Sequence, residues 1–233
     1  MEKACEIKYA EKFSNIHAYD KPILQEYEAF NTDSSDHSNS NDTKTNNIPI
    51  IILGPSAVGK DTMINRLKDK YPKIIYKLSS YTTREKRQDQ NDDYYFVTKE
   101  KFLEMEEKGL LFGVQKYNDN YYASDLNKLQ KALADKSKIV ILNYNIETAI
   151  AVKDLYDFYF IAIFPPNEDA LRERLIKRGT KAEEIEPRMK QSIKEMKLMN
   201  EANFIDFRMV NDVEETAFNE LENQLKKIYP QLQ

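Results

Sequence analysis

The sequence predicts an α/β fold, a central parallel sheet with helices on both faces. Three observations predict it. Short apolar runs recur along the chain and read as buried strands. Segments of helical periodicity alternate with them. The first run, Ile48–Leu53, passes at once into a Gly-Pro loop and then a helical segment, the order of a strand–turn–helix unit. No internal repeat is visible.

The elements run in order along the chain. Residues 31–47 contain no apolar residue and cannot offset the entropy of ordering, so they read as disordered. Residues 1–30 carry scattered apolar side chains such as Ile7, Phe13 and Leu24, and either form a short helix or dock on the domain. Together 1–47 read as a polar N-terminal extension, and 48–230 as the globular domain. Within it, 60–70 reads as a helix with Met63, Ile64 and Leu67 on one face. Lys73–Leu78 and Tyr94–Val97 read as strands, and 99–108 and 125–135 as helices. Lys138–Leu142 and Phe158–Phe164 are buried strands, the latter stopped by Pro165-Pro166. Helices are expected at 167–178 and 182–200, a last strand at Phe207–Val210 and a last helix at 213–228.

Composition narrows the function. The 35 Lys+Arg and 39 Asp+Glu leave a net charge of −4, which gives no electrostatic footprint for nucleic acid or an anionic membrane. No apolar run approaches the roughly 20 residues of a membrane span. The N-terminus lacks a secretion signal's apolar stretch, and a lone Cys5 fits a reducing compartment, so a cytoplasmic protein is expected. Both histidines, His17 and His37, fall in the extension, so the domain must do its chemistry without imidazole. Of eight arginines, six fall in two short clusters.

Gly54-Pro55-Ser56-Ala57-Val58-Gly59-Lys60-Asp61-Thr62 matches the phosphate-binding pattern G-x-x-x-x-G-K in its required context, after a strand and before a helix. Glycines let successive N–H groups point at one anion, the helix N-terminus adds positive potential, and Lys60 supplies a mobile charge. Asp61 stands where such loops usually carry a hydroxyl facing Mg²⁺. A carboxylate there can also ligate Mg²⁺, and Thr62 offers a hydroxyl one place later. Further on, Arg84 and Arg87 form a fork suited to a dianionic phosphate, with Ser80 and the tyrosines beside them as hydroxyl donors.

These segments in sequence resemble the guanylate kinase family. The carriers are the P-loop, Ser80-Tyr81-Thr82-Thr83-Arg84-Glu85-Lys86-Arg87, Tyr94-Tyr95-Phe96-Val97 and Asn120-Tyr121-Tyr122-Ala123-Ser124. Leu171–Gly179, Pro187-Arg188 and Val210-Asn211-Asp212 agree with later family segments. The resemblance runs from about residue 48 to 229 and implies a P-loop NTPase three-layer fold. It also implies a small acceptor-binding β subdomain at about 79–125 and a helical lid at about 172–190. It implies Mg²⁺-assisted transfer of a phosphoryl group from ATP to a nucleoside monophosphate, in first place GMP. Its partners would be small molecules rather than nucleic acid or membrane. On this resemblance the loop from Gly54 to Thr62 and Asn211 hold ATP. Ser80, Arg84, Arg87, Tyr94, Tyr122, Ser124 and Asn145 hold the acceptor. Lys60, Arg174, Arg178 and Arg188 neutralise the transferring group. No general base is required, because an ionised phosphate oxygen is already a nucleophile.

The chain departs from the family in its carboxylates. A Glu shortly after the second phosphate arginine is missing from 88–93, with Asp89 or Gln90 as stand-ins. The guanine-reading Glu expected nine residues before Tyr122 falls at Gly113. The strand end expected as I-L-D-x-D reads Ile141-Leu142-Asn143-Tyr144-Asn145. Gln115 and Asn145 are the candidate amide readers. Asp61 is gained where Asn143 has lost its charge, so the carboxylate is expected to have moved from strand to loop beside Mg²⁺. A G-K-D loop, a strand-end Asn and no guanine-reading Glu are also similar to ribose 1,5-bisphosphate phosphokinases. A non-guanine acceptor such as that sugar phosphate is therefore an alternative, as is a catalytically weak phosphopeptide-binding module.

Overall fold

The structure is a computed structural model that describes residues 48–86, 94–117 and 119–233. The fold and the site both belong to the compact unit of 45–153 and 157–233. The expectations for 1–47, for Arg87 and for Asp89 and Gln90 lie outside the described residues.

The core is the parallel sheet the sequence predicts. Its strands are β1 (Ile50–Leu53), β2 (Ile75–Lys77), β7 (Ile139–Asn143), β8 (Tyr159–Phe164) and β9 (Phe207–Val210), ordered β2-β7-β1-β8-β9. All four pairings are parallel. β1 lies at the centre, and Ile50, Ile51, Ile52 and Leu53 are fully buried. A strand enclosed on both faces must be apolar at every position, which is why this run shows no alternation. Each buried aliphatic contributes about 1.5–3 kcal/mol.

Helices α1 (Lys60–Lys70), α5 (Glu168–Lys177), α6 (Ala182–Glu201) and α7 (Glu214–Ile228) follow the predicted segments. α1 packs Met63, Ile64 and Leu67 into the core together with Leu221 and Leu225 of α7. Local signals set several helix ends. Thr98, Asp125 and Asn167 cap α2 (Lys99–Glu107), α3 (Leu126–Ala134) and α5, each side chain accepting a backbone N–H three residues on.

A second sheet holds β4 (Tyr94–Phe96), β3 (Ser80–Thr82), β6 (Asn120–Asp125) and β5 (Leu111–Tyr117), in that order. Its register sorts the side chains. Ser80 pairs with Tyr94 and Ser124, and Thr82 with Phe96 and Tyr122. Paired residues share a face, so these six lie on one side. Tyr81, Tyr95 and Ala123 lie on the other, where Ala123 and Tyr81 join a small core with Phe102 and Met105 of α2. The sequence reading missed β3, β5, β6 and the short helix α4 (Ile146–Val152). β5 contains an irregularity between Phe112 and Gln115 that breaks period-two alternation. α4 spans only seven residues, too few for a helical period to emerge.

Candidate functional site

β1 delivers the chain at the C-terminal edge of the parallel sheet into the loop Gly54–Gly59, and α1 begins at Lys60. This is the edge where open α/β sheets place their ligands. Ala57 (φ 65°) and Gly59 (φ 106°) take left-handed backbone, curling the loop into a nest of N–H groups at the helix N-terminus. A Cβ on Gly59 would collide with the side-chain nitrogen of Asn211, so glycine is required there.

The back of the loop is clamped. Asn211 is buried and donates Nδ2 to the Val58 carbonyl at 2.8 Å. Its Oδ1 is buried without a hydrogen-bond partner among the described residues. Arg174 donates to the same Val58 carbonyl at 3.4 Å, to Asn211 O at 2.7 Å and to Asp212 O at 3.2 Å. Arg174 therefore ties α5 to the loop and to the turn after β9.

Lys60 bends back over the loop, donating to Gly54 O at 2.6 Å and Pro55 O at 3.0 Å. Desolvation pushes its pKa below the ordinary lysine value, against the charges of Asp61 and Glu195, and Arg178 adds to the lowering. Asp61 keeps half its side-chain surface accessible (50%). Even so, desolvation in the cleft is its largest influence and pushes its pKa up. The charges of Lys77 and Lys60 and the hydrogen bonds from Lys77 and Asn143 outweigh that and hold it below the usual range.

Asn143 donates to Asp61 Oδ1 at 3.1 Å, and Lys77 Nζ lies 3.3 Å from the same oxygen and 3.1 Å from Asn65 Oδ1. The expected proximity of Asp61 and Asn143 is thus present. Lys77, at the C-terminal end of β2, was not anticipated. Both contacts fall on Oδ1, which leaves Oδ2 without a partner among the described residues. One oxygen of a half-accessible carboxylate suits Mg²⁺, which is commonly held by one or two carboxylates plus substrate phosphates and waters. Among the described residues no group of three or more His, Cys, Asp or Glu side chains could hold a metal. Thr62 is exposed and does not line the cleft.

The cleft, about 270 Å³, runs from this loop to the second sheet. Gly54, Ser56, Asp61, Arg84, Tyr94, Tyr122, Asn145, Arg178 and Arg188 all line it. Arg84 stacks over Tyr94 and Phe96, its guanidinium carbon 5.3 Å and 5.4 Å from the ring centroids, and Tyr94 meets Tyr122 edge-on at 6.0 Å. Arg188 is held by Glu184 one turn back, with Nε at 3.1 Å and Nη2 at 2.7 Å from Oε2. Two lining residues escaped the sequence reading. Burial raises the pKa of Glu195, against the opposing charge of Lys60. Burial also pushes the Tyr117 hydroxyl up to about 12, with the Glu195 charge adding to it.

Ser124 is corrected by the structure. It lies on the predicted face of the second sheet but is 1% exposed and is not among the residues lining the cleft. Tyr144 covers it, donating its hydroxyl to Ser124 Oγ at 2.9 Å. The same ring excludes a side chain at residue 113. Gly113 has φ 64°, and a Cβ there would sit 2.7 Å from the Tyr144 Cζ and hydroxyl. Ser80 is half-buried beside Tyr94 and Ser124 and likewise does not line the cleft. Asn145 caps α4, its Oδ1 accepting from Thr148 N at 2.8 Å, and Gln115 Oε1 accepts from Thr148 Oγ1 at 2.9 Å.

Comparisons with known proteins fit this geometry. Residues 46–228 match the family model described as guanylate kinase. A guanylate kinase of Oceanobacillus iheyensis is 31% identical over 187 residues, 78% of this chain and 88% of the relative. One from Lactococcus lactis is 36% identical over 172 residues, 72% of this chain and 82% of the relative. The crystal structure of guanylate kinase from Anaplasma phagocytophilum superposes with a TM-score of 0.63 at 22% identity, covering 78% of this chain and 86% of that one, a likeness of fold.

Proposed function

Because this chain belongs to the guanylate kinase family, we propose that it transfers the terminal phosphoryl group of ATP to GMP, giving ADP and GDP. The observation that carries the reading is the convergence on one cleft of a phosphate loop and an aromatic-backed arginine. Arg84, Tyr94 and Tyr122 lie across the cleft from Gly54, Ser56 and Asp61, with Arg178 and Arg188 lining the same space.

The loop amides and Lys60 would bind the ATP phosphates, with Asn211 and the backbone fixed by Arg174 behind them. Arg84 and the two tyrosine hydroxyls would orient the acceptor phosphate, with Arg87 as a second cation. The nucleophile is an ionised phosphate oxygen, so no side chain needs to remove a proton. Catalysis rests on alignment and on cations placed where charge spreads in transfer. Arg178 and Arg188 supply those cations from the two helices of a lid spanning about 172–190. Asp61 would hold Mg²⁺, which would supply charge neutralisation to the ATP phosphates; Thr62, exposed and outside the cleft, is left out of that set. The catalytic domain spans 48–230, with the acceptor part at about 79–125, and works in the cytoplasm. Among the described residues no helix is long and apolar enough to cross a membrane.

One observation favours a second reading, a sugar-phosphate acceptor such as ribose 1,5-bisphosphate. Amides stand at Asn143 and Asn145, and Tyr144 fills the space beside Gly113. A panel test decides. With ATP and Mg²⁺, ADP formation is expected with GMP and lost in Lys60→Ala. Turnover with ribose 1,5-bisphosphate and none with GMP would select the second reading. No turnover with any acceptor would remove both.

A further inference from the structure

The base end of the cleft carries two oriented amide donors. Gln115 and Asn145 both line it, and both carboxamides are oriented by one buried residue, Thr148. The Thr148 backbone N–H can only donate, so it takes the Asn145 oxygen, and its hydroxyl takes the Gln115 oxygen. Each carboxamide therefore turns its NH₂ away from α4. Neither NH₂ has a hydrogen-bond partner among the described residues. The Tyr144 hydroxyl gives its one hydrogen to Ser124 Oγ, so it is not a donor to a base.

Two carboxylates of the cleft, Asp61 and Glu195, are engaged with neighbouring side chains. Asp61 is held by Lys77 and Asn143 beside the phosphate loop. Glu195 accepts from Gln191 and lies close enough to Lys60 for their charges to interact. Glu85 also lines the cleft, exposed on the loop after β3 next to the phosphate-binding Arg84.

We propose that the chain reads its acceptor base through the edge that accepts hydrogen bonds. The NH₂ groups of Gln115 and Asn145 meet O6 and N7 of a 6-oxopurine, and Thr148 is the positioning residue that fixes both. Guanine presents two acceptors on that edge, whereas adenine presents N7 and an amino group. This inference rests on the proposed phosphoryl transfer to GMP and assigns how that base is chosen. Its consequence is a specificity that ignores the 2-amino group. Hypoxanthine keeps O6 and N7 and lacks only that amine. Adenine sets an N–H donor against an amide donor and leaves both unpaired, a mismatch that polar sites reject strongly.

The test uses the full chain and reads binding apart from turnover. Dissociation constants are measured by calorimetry for GMP, IMP and AMP, and kcat/KM for the same three with ATP and Mg²⁺. IMP is expected within about tenfold of GMP, and AMP weaker by about a hundredfold or more. IMP weaker than GMP by more than tenfold, AMP within a hundredfold of GMP, or no binding of GMP and IMP would each overturn the proposal. Binding in the expected order without turnover would overturn the proposed activity and leave the edge assignment standing.

Thr148→Val keeps the shape, removes the hydroxyl and releases the Gln115 amide. The GMP-to-AMP preference should narrow about tenfold, the loss of roughly one hydrogen bond's discrimination. It should narrow through KM rather than kcat, and Thr148→Ser should restore it. An unchanged preference in Thr148→Val would refute the role given to Thr148.

Discussion

Gly113→Ala is a direct probe of how the base end of the cleft is built. Two costs can be worked from the structure. The backbone at φ 64° is left-handed, which costs an alanine about 1–2 kcal/mol. The new methyl would also sit 2.7 Å from two atoms of the buried Tyr144, an overlap that cannot persist. Forcing an added methyl into a packed site typically costs about 1–3 kcal/mol. The expected destabilisation is therefore about 2–5 kcal/mol, read as a lower urea midpoint at unchanged slope. A double-mutant cycle with Tyr144→Leu separates the terms. Leucine lacks the ring atoms that collide, so the overlap disappears while the backbone cost stays. The double variant should be more stable than the sum of the single effects by about 1–3 kcal/mol. Additivity to within about 0.5 kcal/mol would show that Tyr144 does not occupy the space in front of residue 113.

Two further tests address the phosphate end. Asp61→Ser should lower ADP formation about a hundredfold or more, the size of losing one charge-stabilising group, and Asp61→Ser with Asn143→Asp should recover part of it. No recovery would show that the loop carboxylate does not stand in for the strand carboxylate. Glu195 has its pKa raised by burial, so in the folded state it binds a proton more tightly than in the unfolded chain. The stability it adds is present below the ordinary glutamate value near 4.5 and is lost as pH rises through the folded value. Relative to Glu195→Gln, the unaltered chain should lose stability from about pH 4.5 upward in urea titrations, and a relative gain would contradict the burial.

Much of this arrangement is legible in the sequence where a local signal carries it. The apolar run before Gly54, the loop spacing and the helix after Lys60 are contiguous, and the structure reproduces them. α1 begins and ends at the residues the sequence predicts. The position of Asn143 against Asp61 could also be anticipated, because Asn143 ends one strand and Asp61 lies in the first turn of the helix after its parallel neighbour, both at the C-terminal edge of the sheet. Lys77 could not. On its own it is one lysine at the end of a three-residue strand, and its meaning appears only when β2 pairs with β7. Ser124 failed for a related reason. The sheet register puts it on the predicted face, but Tyr144, just past the end of β7 in the other sheet, covers it. Glu195 sits in the middle of a charged helix, where nothing in the sequence separates it from Glu183 or Glu201. Only folding brings it beside Lys60.

The departures from the family pattern form two physical units rather than scattered losses. At the phosphate end, the strand has an amide at Asn143 and the loop has the acid at Asp61. The two share a hydrogen bond, and Lys77 completes the set by binding the same Asp61 oxygen. An acid at both positions would place two like charges about 3 Å apart, and one of them would be driven to protonate. A chain with Asp61 in the loop is therefore better served by an amide at 143. At the base end, the expected acid falls on Gly113, whose missing side chain is replaced by the Tyr144 ring. Tyr144 in turn uses the Ser124 hydroxyl, so Ser124 is not left for a ligand. In that setting Gln115 and Asn145 present amide donors to a base, and Thr148 fixes both. Each substitution makes its neighbour's substitution sensible. That coherence argues for a site rebuilt around a different pattern of hydrogen bonds, not for one that has decayed. The base end accordingly selects by the acceptors it meets, and the inosine-against-adenosine comparison discriminates between those two histories of the site.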